Sequence, residues 1–106
     1  MFDDARLQCL VEDQKALRRK HGEARARKIK VRIAELHASS TMLDLRSLPG
    51  RWHPLVADRA ECWAAHLDGP YRLIIRPVEP VPRLGDGGVD WSAVTRVAVT
   101  SIENYH

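Results

Sequence analysis

The chain has 106 residues, 44% of them hydrophobic and 29% charged, with a formal net charge of +3. That is one domain's worth of core and leaves no room for a second. No apolar run approaches the ~20 residues that cross a bilayer, and two cysteines, Cys9 and Cys62, are too few for a disulfide scaffold or a zinc knuckle.

The first residues, Met1-Phe2-Asp3-Asp4, carry neither the basic start nor the apolar stretch of a secretion signal, so a cytoplasmic protein without a membrane partner is expected. Asp3 and Asp4 supply a helix cap, and Leu7, Leu10, Val11 and Leu17 recur on one helical side, which predicts a first helix to about His21. Gly22 suits the end of that helix, and Glu23 starts a second with favourable charge at its N-terminus. The two form a hairpin. In the second helix Ala26, Ile29, Ile33 and Leu36 make an apolar stripe, and Arg25, Lys28 and Arg32 line a wet flank.

Nine of the eighteen residues from Lys15 to Arg32 are basic, against the single acid Glu23. Such a block is a solvated face, or one attracted to nucleic acid or to an acidic partner. Leu43 to Leu48 predicts a short helical turn before Pro49-Gly50. Four strands follow, Arg51–Leu55, Glu61–Leu67, Tyr71–Val78 and Val94–Ile102, with Cys9 and Cys62 read as buried small apolar residues. Short turns favour an antiparallel meander. The segment from Glu79 to Ala93 is long for a small domain and reads as disordered or as a binding loop, ending in a helical turn at residues 90–93. Helices followed by strands give an α+β fold: an N-terminal helical hairpin, residues 1–40, on one face of a mainly antiparallel sheet, residues 51–106.

The period of two places Arg72, Ile74 and Arg76 on one face of the third strand and Tyr71, Leu73 and Ile75 on the other. Two arginines on one face require water, a carboxylate or a bound anion. His53 in Arg51-Trp52-His53-Pro54-Leu55, and Tyr105 and His106 after an apolar strand, complete a set suited to phosphodiester cleavage. One imidazole takes the proton of a ribose 2′-hydroxyl and the other protonates the leaving 5′-oxygen, arginines stabilise charge on phosphorus oxygens, and Tyr105 or Trp52 stacks on a base. As metal ligands His21, His37, His53, His66 and His106 fail, because no His-x-x-x-His or Cys-x-x-Cys pair occurs. No metal site is expected. Phosphate-loop and dinucleotide fingerprints are also missing, so no cofactor is expected.

The order of features is a basic helical hairpin, Leu48-Pro-Gly-Arg-Trp-His-Pro-Leu55, Trp63, Gly69-Pro-Tyr-Arg-Leu73, and a closing Tyr105-His106. It resembles the HigB-like plasmid-maintenance killer proteins of the RelE/ParE toxin superfamily over nearly the whole chain. The resemblance implies a ribosome-dependent endoribonuclease that cuts mRNA, neutralised by a HigA-like helix-turn-helix antitoxin. It puts His53 and His106 at the acid/base positions, Arg72 on the phosphate, and Asn104 and Tyr105 in the terminal motif. Strand geometry adds Arg76, and Arg51, Trp52, Arg59, Arg25, Lys28 and Arg32 make up the RNA-facing set. The chain departs from the family pattern in three places. Asn104 stands where Asp is common, Val56-Ala57 where Lys-Gly commonly follows His-Pro-Leu, and at most Met1-Phe2 remains of an opening strand. These departures set a second reading beside the first, a weakened homologue acting as a binding module, with a gyrase poison of the ParE kind as a further alternative.

Overall fold

The computed structural model describes Phe2 and residues 4–104. Tyr105 and His106, two of the expected site residues, lie outside them. Three helices, α1 (Ala5–Glu12), α2 (Gln14–His21) and α3 (Glu23–Ala38), precede four strands, β1 (His53–Pro54), β2 (Trp63–His66), β3 (Tyr71–Pro77) and β4 (Val97–Asn104). The strands form one antiparallel sheet in the order β1-β2-β3-β4. The expected α+β architecture and meander are both present.

The single helix expected up to His21 is instead two. Asp13 takes an extended conformation (φ −102°, ψ 104°), and its carboxylate accepts from the N–H groups of Lys15 and Ala16 at 3.0 and 3.2 Å. An acidic side chain that satisfies the free N–H groups of a helix start competes with helix continuation. Asp4 caps α1 in the same way, accepting from Arg6 N–H at 2.7 Å. Gly22 separates α2 from α3 at φ 82° and ψ 162°, a region open to glycine and strained for other residues.

The core lies between the helices and one face of the sheet. Leu17, Ile29, Trp63, Leu73 and Ile75 are fully buried there, each side chain contributing about 1.5–3 kcal/mol relative to exposure. Tyr71 packs against the same cluster, as the alternation of β3 requires. The β3–β4 register shifts at one point: Ile74 pairs with Ser101 and Ile75 with Val99, leaving Thr100 as the extra residue of a β-bulge. The shift puts Val97, Val99 and Ile102 all on the helix side, and it puts Ser101 and Glu103 opposite Ile74 and Arg72 on the other side.

The segment 79–93, expected to be disordered or a binding loop, is ordered and partly packed. Arg83 pairs with Val89, the Arg83 guanidinium grips the Glu61 carboxylate at 2.5 and 3.1 Å, and Val89, Trp91 and Val94 join the core. Trp91 sits with its ring centroid 5.1 Å from that of Trp63, within the range of favourable aromatic pairs. Cys9 is exposed and Cys62 partly so, correcting the expectation of two buried thiols. Cys9 lies on the outer side of a helix that buries only Val11.

Candidate functional site

The site is built from underneath. Glu35, buried on α3, accepts from three donors: Arg32 Nη1 at 2.6 Å, the backbone N–H of Gly50 at 3.2 Å and the indole N–H of Trp52 at 2.7 Å. Arg32 Nε donates to the carbonyl of His66 at 2.7 Å, and His66 N–H donates to the Gly50 carbonyl at 2.8 Å. A buried ion pair is tolerable only when its remaining donors and acceptors are satisfied, and here they tie α3, the entry to β1 and the end of β2 together. Gly50 has no room for a side chain. A Cβ there would fall 2.6 Å from Glu35 Oε1, 2.7 Å from Trp52 Nε1 and 2.8 Å from Arg32 Cδ.

Above this network the second face of the sheet carries an apolar island of Leu55, Ala64 and Ile74, with Cys62 packed against it. Polar side chains surround it. The cross-strand rows place His53 opposite Ala64, and His66 opposite Arg72, which in turn faces Glu103. His53 and His66 are therefore diagonal neighbours on one face. Their ring centroids lie 5.7 Å apart with the planes inclined at 63°.

His53 Nδ1 lies 2.8 Å from the Arg51 carbonyl. A carbonyl can only accept, so Nδ1 carries the hydrogen of this bond and Nε2 is the ring nitrogen left for other chemistry. Arg51 holds this contact from a left-handed backbone position, φ 54°, an uncommon one for a non-glycine residue. Neither ring nitrogen of His66 makes a hydrogen bond among the described residues. Burial holds this imidazole below its ordinary pKa, assisted by the charges of Arg72, His53, Arg51 and Arg32. It is neutral at neutral pH and surrounded by cations.

The other expected residues divide by their partners. Arg76 is half-buried on the same face and donates to the Pro77 carbonyl at 3.2 Å. The Arg72 guanidinium donates to the carbonyls of Gly69 and Tyr71, both at 2.8 Å, which fastens it over the β2–β3 turn. Arg59 pairs with Glu103 at 2.8 Å, and this guanidinium draws the Glu103 carboxyl below its ordinary pKa, with Ser101 also donating to it. Asn104 is exposed at the end of β4, opposite Tyr71.

Two assignments are overturned. Trp52 is 3% exposed and bonded to Glu35, so it belongs to the core and has no face for a base. Arg32 is 6% exposed, a structural cation rather than part of a wet flank. Arg25 is also occupied: it binds Asp68 at 2.8 Å and lies 3.4 Å over the Tyr71 ring, while Lys28 is exposed. The exposed basic surface of α2 and α3 consists of Lys15, Arg18, Arg19, Lys20, Arg27, Lys28 and Lys30. Sequence reasoning missed His66, Ser101 and Glu103. For His66 the signal is present, since Trp63-Ala64-Ala65-His66 alternates and puts His66 in phase with Ala64. For Ser101 and Glu103 the bulge hides it.

Among the described residues no group of three His, Cys, Asp or Glu side chains is placed to hold a metal ion, and no helix is long and apolar enough to cross a membrane. What the face offers is a pair of imidazoles beside guanidinium groups, an arrangement able to bind an anion and move protons on it. No protein-family model, curated protein or solved structure matches the chain.

Proposed function

We propose that the chain is a HigB-like toxin of a type II toxin–antitoxin pair, an endoribonuclease that cuts ribosome-bound mRNA and is neutralised by a HigA-like helix-turn-helix antitoxin. The observation that carries this reading is the gathering of His53, Arg72 and Arg76 on the sheet face turned away from the helices. Two details of backbone support it. Ala57, at the position where the family pattern has Gly, has φ 61°, and Phe2, at the place of the family's opening strand, makes a parallel bridge to Val99.

In this reading His53 and the terminal His106 exchange protons with the reacting ribose and the leaving oxygen, Arg72 neutralises charge on the phosphate, and Tyr105 stacks on a base. The exposed cations of α2 and α3 attract the ribosome. The test is cleavage of ribosome-bound message by purified protein with an untagged C-terminus. New cuts that vanish with His53→Ala are the expected result; no cuts with the wild type would end the enzymatic reading.

A specific observation favours the second reading, a weakened homologue that binds antitoxin or ribosome without cutting. The Arg72 guanidinium is held by backbone carbonyls and Arg59 by Glu103. Association with a helix-turn-helix partner, without growth arrest when the chain is expressed alone, identifies that case. A gyrase poison of the ParE kind arrests growth and leaves message intact.

A further inference from the structure

We infer that His66, in place of His106, is the proton-transfer partner of His53 on the phosphodiester and so a further catalytic residue of this site; the inference rests on the nuclease reading above and reassigns one of its two proton-transfer roles. The two rings share one face as diagonal cross-strand neighbours with centroids 5.7 Å apart. Arg72 is the direct cross-strand neighbour of His66 on that face. The His66 backbone is fixed by the buried network, since the Gly50 carbonyl accepts from His66 N–H and the His66 carbonyl accepts from Arg32, and Trp52, the neighbour of His53 in sequence, is bonded to Glu35 of the same network. A positioned pair of this kind is what general acid–base catalysis needs.

The chemistry divides the roles. His66 faces Arg72 from β3, His53 and Arg51 from β1 and its entry, and Arg32 from α3. The nearby carboxylates are already engaged, Glu35 by Arg32 and Glu103 by Arg59. Burial first, and these cations after it, keep His66 neutral, as a base must be. It removes the 2′-hydroxyl proton as the 2′-oxygen bonds to phosphorus. The bond from phosphorus to the 5′-oxygen then breaks, and that oxygen takes a proton from Nε2 of the His53 imidazolium, whose Nδ1–H stays on the Arg51 carbonyl. The products are a 2′,3′-cyclic phosphate and a 5′-hydroxyl, and no further reactant enters.

The experiment is single-turnover cleavage of ribosome-bound message from pH 5 to pH 9 with wild type, His66→Gln, His66→Thr and His106→Ala. Thermal melts show which variants are folded. The expected result is a ~10²–10⁴-fold loss in both folded His66 variants, the range for removing one general acid or base, with the acidic limb of kcat/KM abolished. In the His106→Ala background that limb remains. Arg72→Gln moves the limb to higher pH, because a cation beside His66 is gone. Wild-type cleavage with His66 variants within threefold of it overturns the inference and leaves the nuclease reading standing. So does a loss of rate with the acidic limb unchanged, which would make His66 structural. Absence of cleavage by the wild type overturns both.

Discussion

Gly50, Arg32 and Glu35 show how far single residues decide this site. Removing the charge at Glu35 leaves Arg32 buried and uncompensated, so Glu35→Gln is expected to cost about 3–5 kcal/mol, read as a lowered midpoint of urea unfolding. A fall below about 1 kcal/mol would mean that the pair is not buried in solution. Ala57 is a smaller case of the same kind. At φ 61° a side chain is strained by about 1–2 kcal/mol, partly offset in the unfolded chain, where glycine is more flexible. Ala57→Gly is accordingly expected to stabilise the protein by about 0.5–1 kcal/mol, a rise of several degrees in Tm.

At the scale of elements, the basic hairpin divides into two populations. Arg25 and Arg32 point into tertiary partners, the Asp68 carboxylate with the Tyr71 ring and the Glu35 carboxylate, while Lys28 and Lys30 stay exposed. Their substitutions should separate in kind. Reversing charge at Lys28 and Lys30 is expected to leave Tm nearly unchanged, to weaken ribosome or RNA binding, and to flatten its salt dependence by about one unit of slope for each phosphate no longer neutralised. Arg32→Ala lowers Tm instead. Equal salt slopes for wild type and the double reversal would remove this helix face from the interaction. The β-bulge at Thr100 acts on β4 in a similar way, one extra residue giving the strand an apolar side toward the helices at both ends and delivering Glu103 to Arg59.

For the whole molecule, acid stability follows from how the charges are paired. His21 and His66 both have folded pKa values below the ordinary 6.5, first through burial and then through neighbouring cations. The unfolded chain therefore takes up protons first as pH falls, and stability declines from about pH 6.5 downward. Asp68, bonded to Arg25, and Glu103, bonded to Arg59, also titrate below their ordinary values of 3.8 and 4.5. Their contribution is complete above those values and is lost as pH falls through the lower folded ones. The expected profile is a loss of stability in two stages, measured by urea unfolding from pH 8 to pH 3. The combined change His21→Gln and His66→Gln should erase the upper stage alone; persistence of that stage would place its origin elsewhere.

Period and composition were enough for the order of helices and strands, the antiparallel meander, and the division of β3 into an arginine side and a core side, because alternation and capping are local properties of the chain. The resemblance to HigB-like toxins likewise came from short linear segments. Local signals misjudged places where contacts distant in sequence decide. Arg32 and Trp52 look like surface groups until Glu35, seventeen residues from Trp52, draws both inward. His66 reads as one histidine among five until β2 pairs with both β1 and β3 and sets it beside His53 and Arg72. The chain itself thus specified which chemical groups are available, and only tertiary pairing decided which of them share a face, because a charge is buried or exposed according to partners the local sequence does not contain.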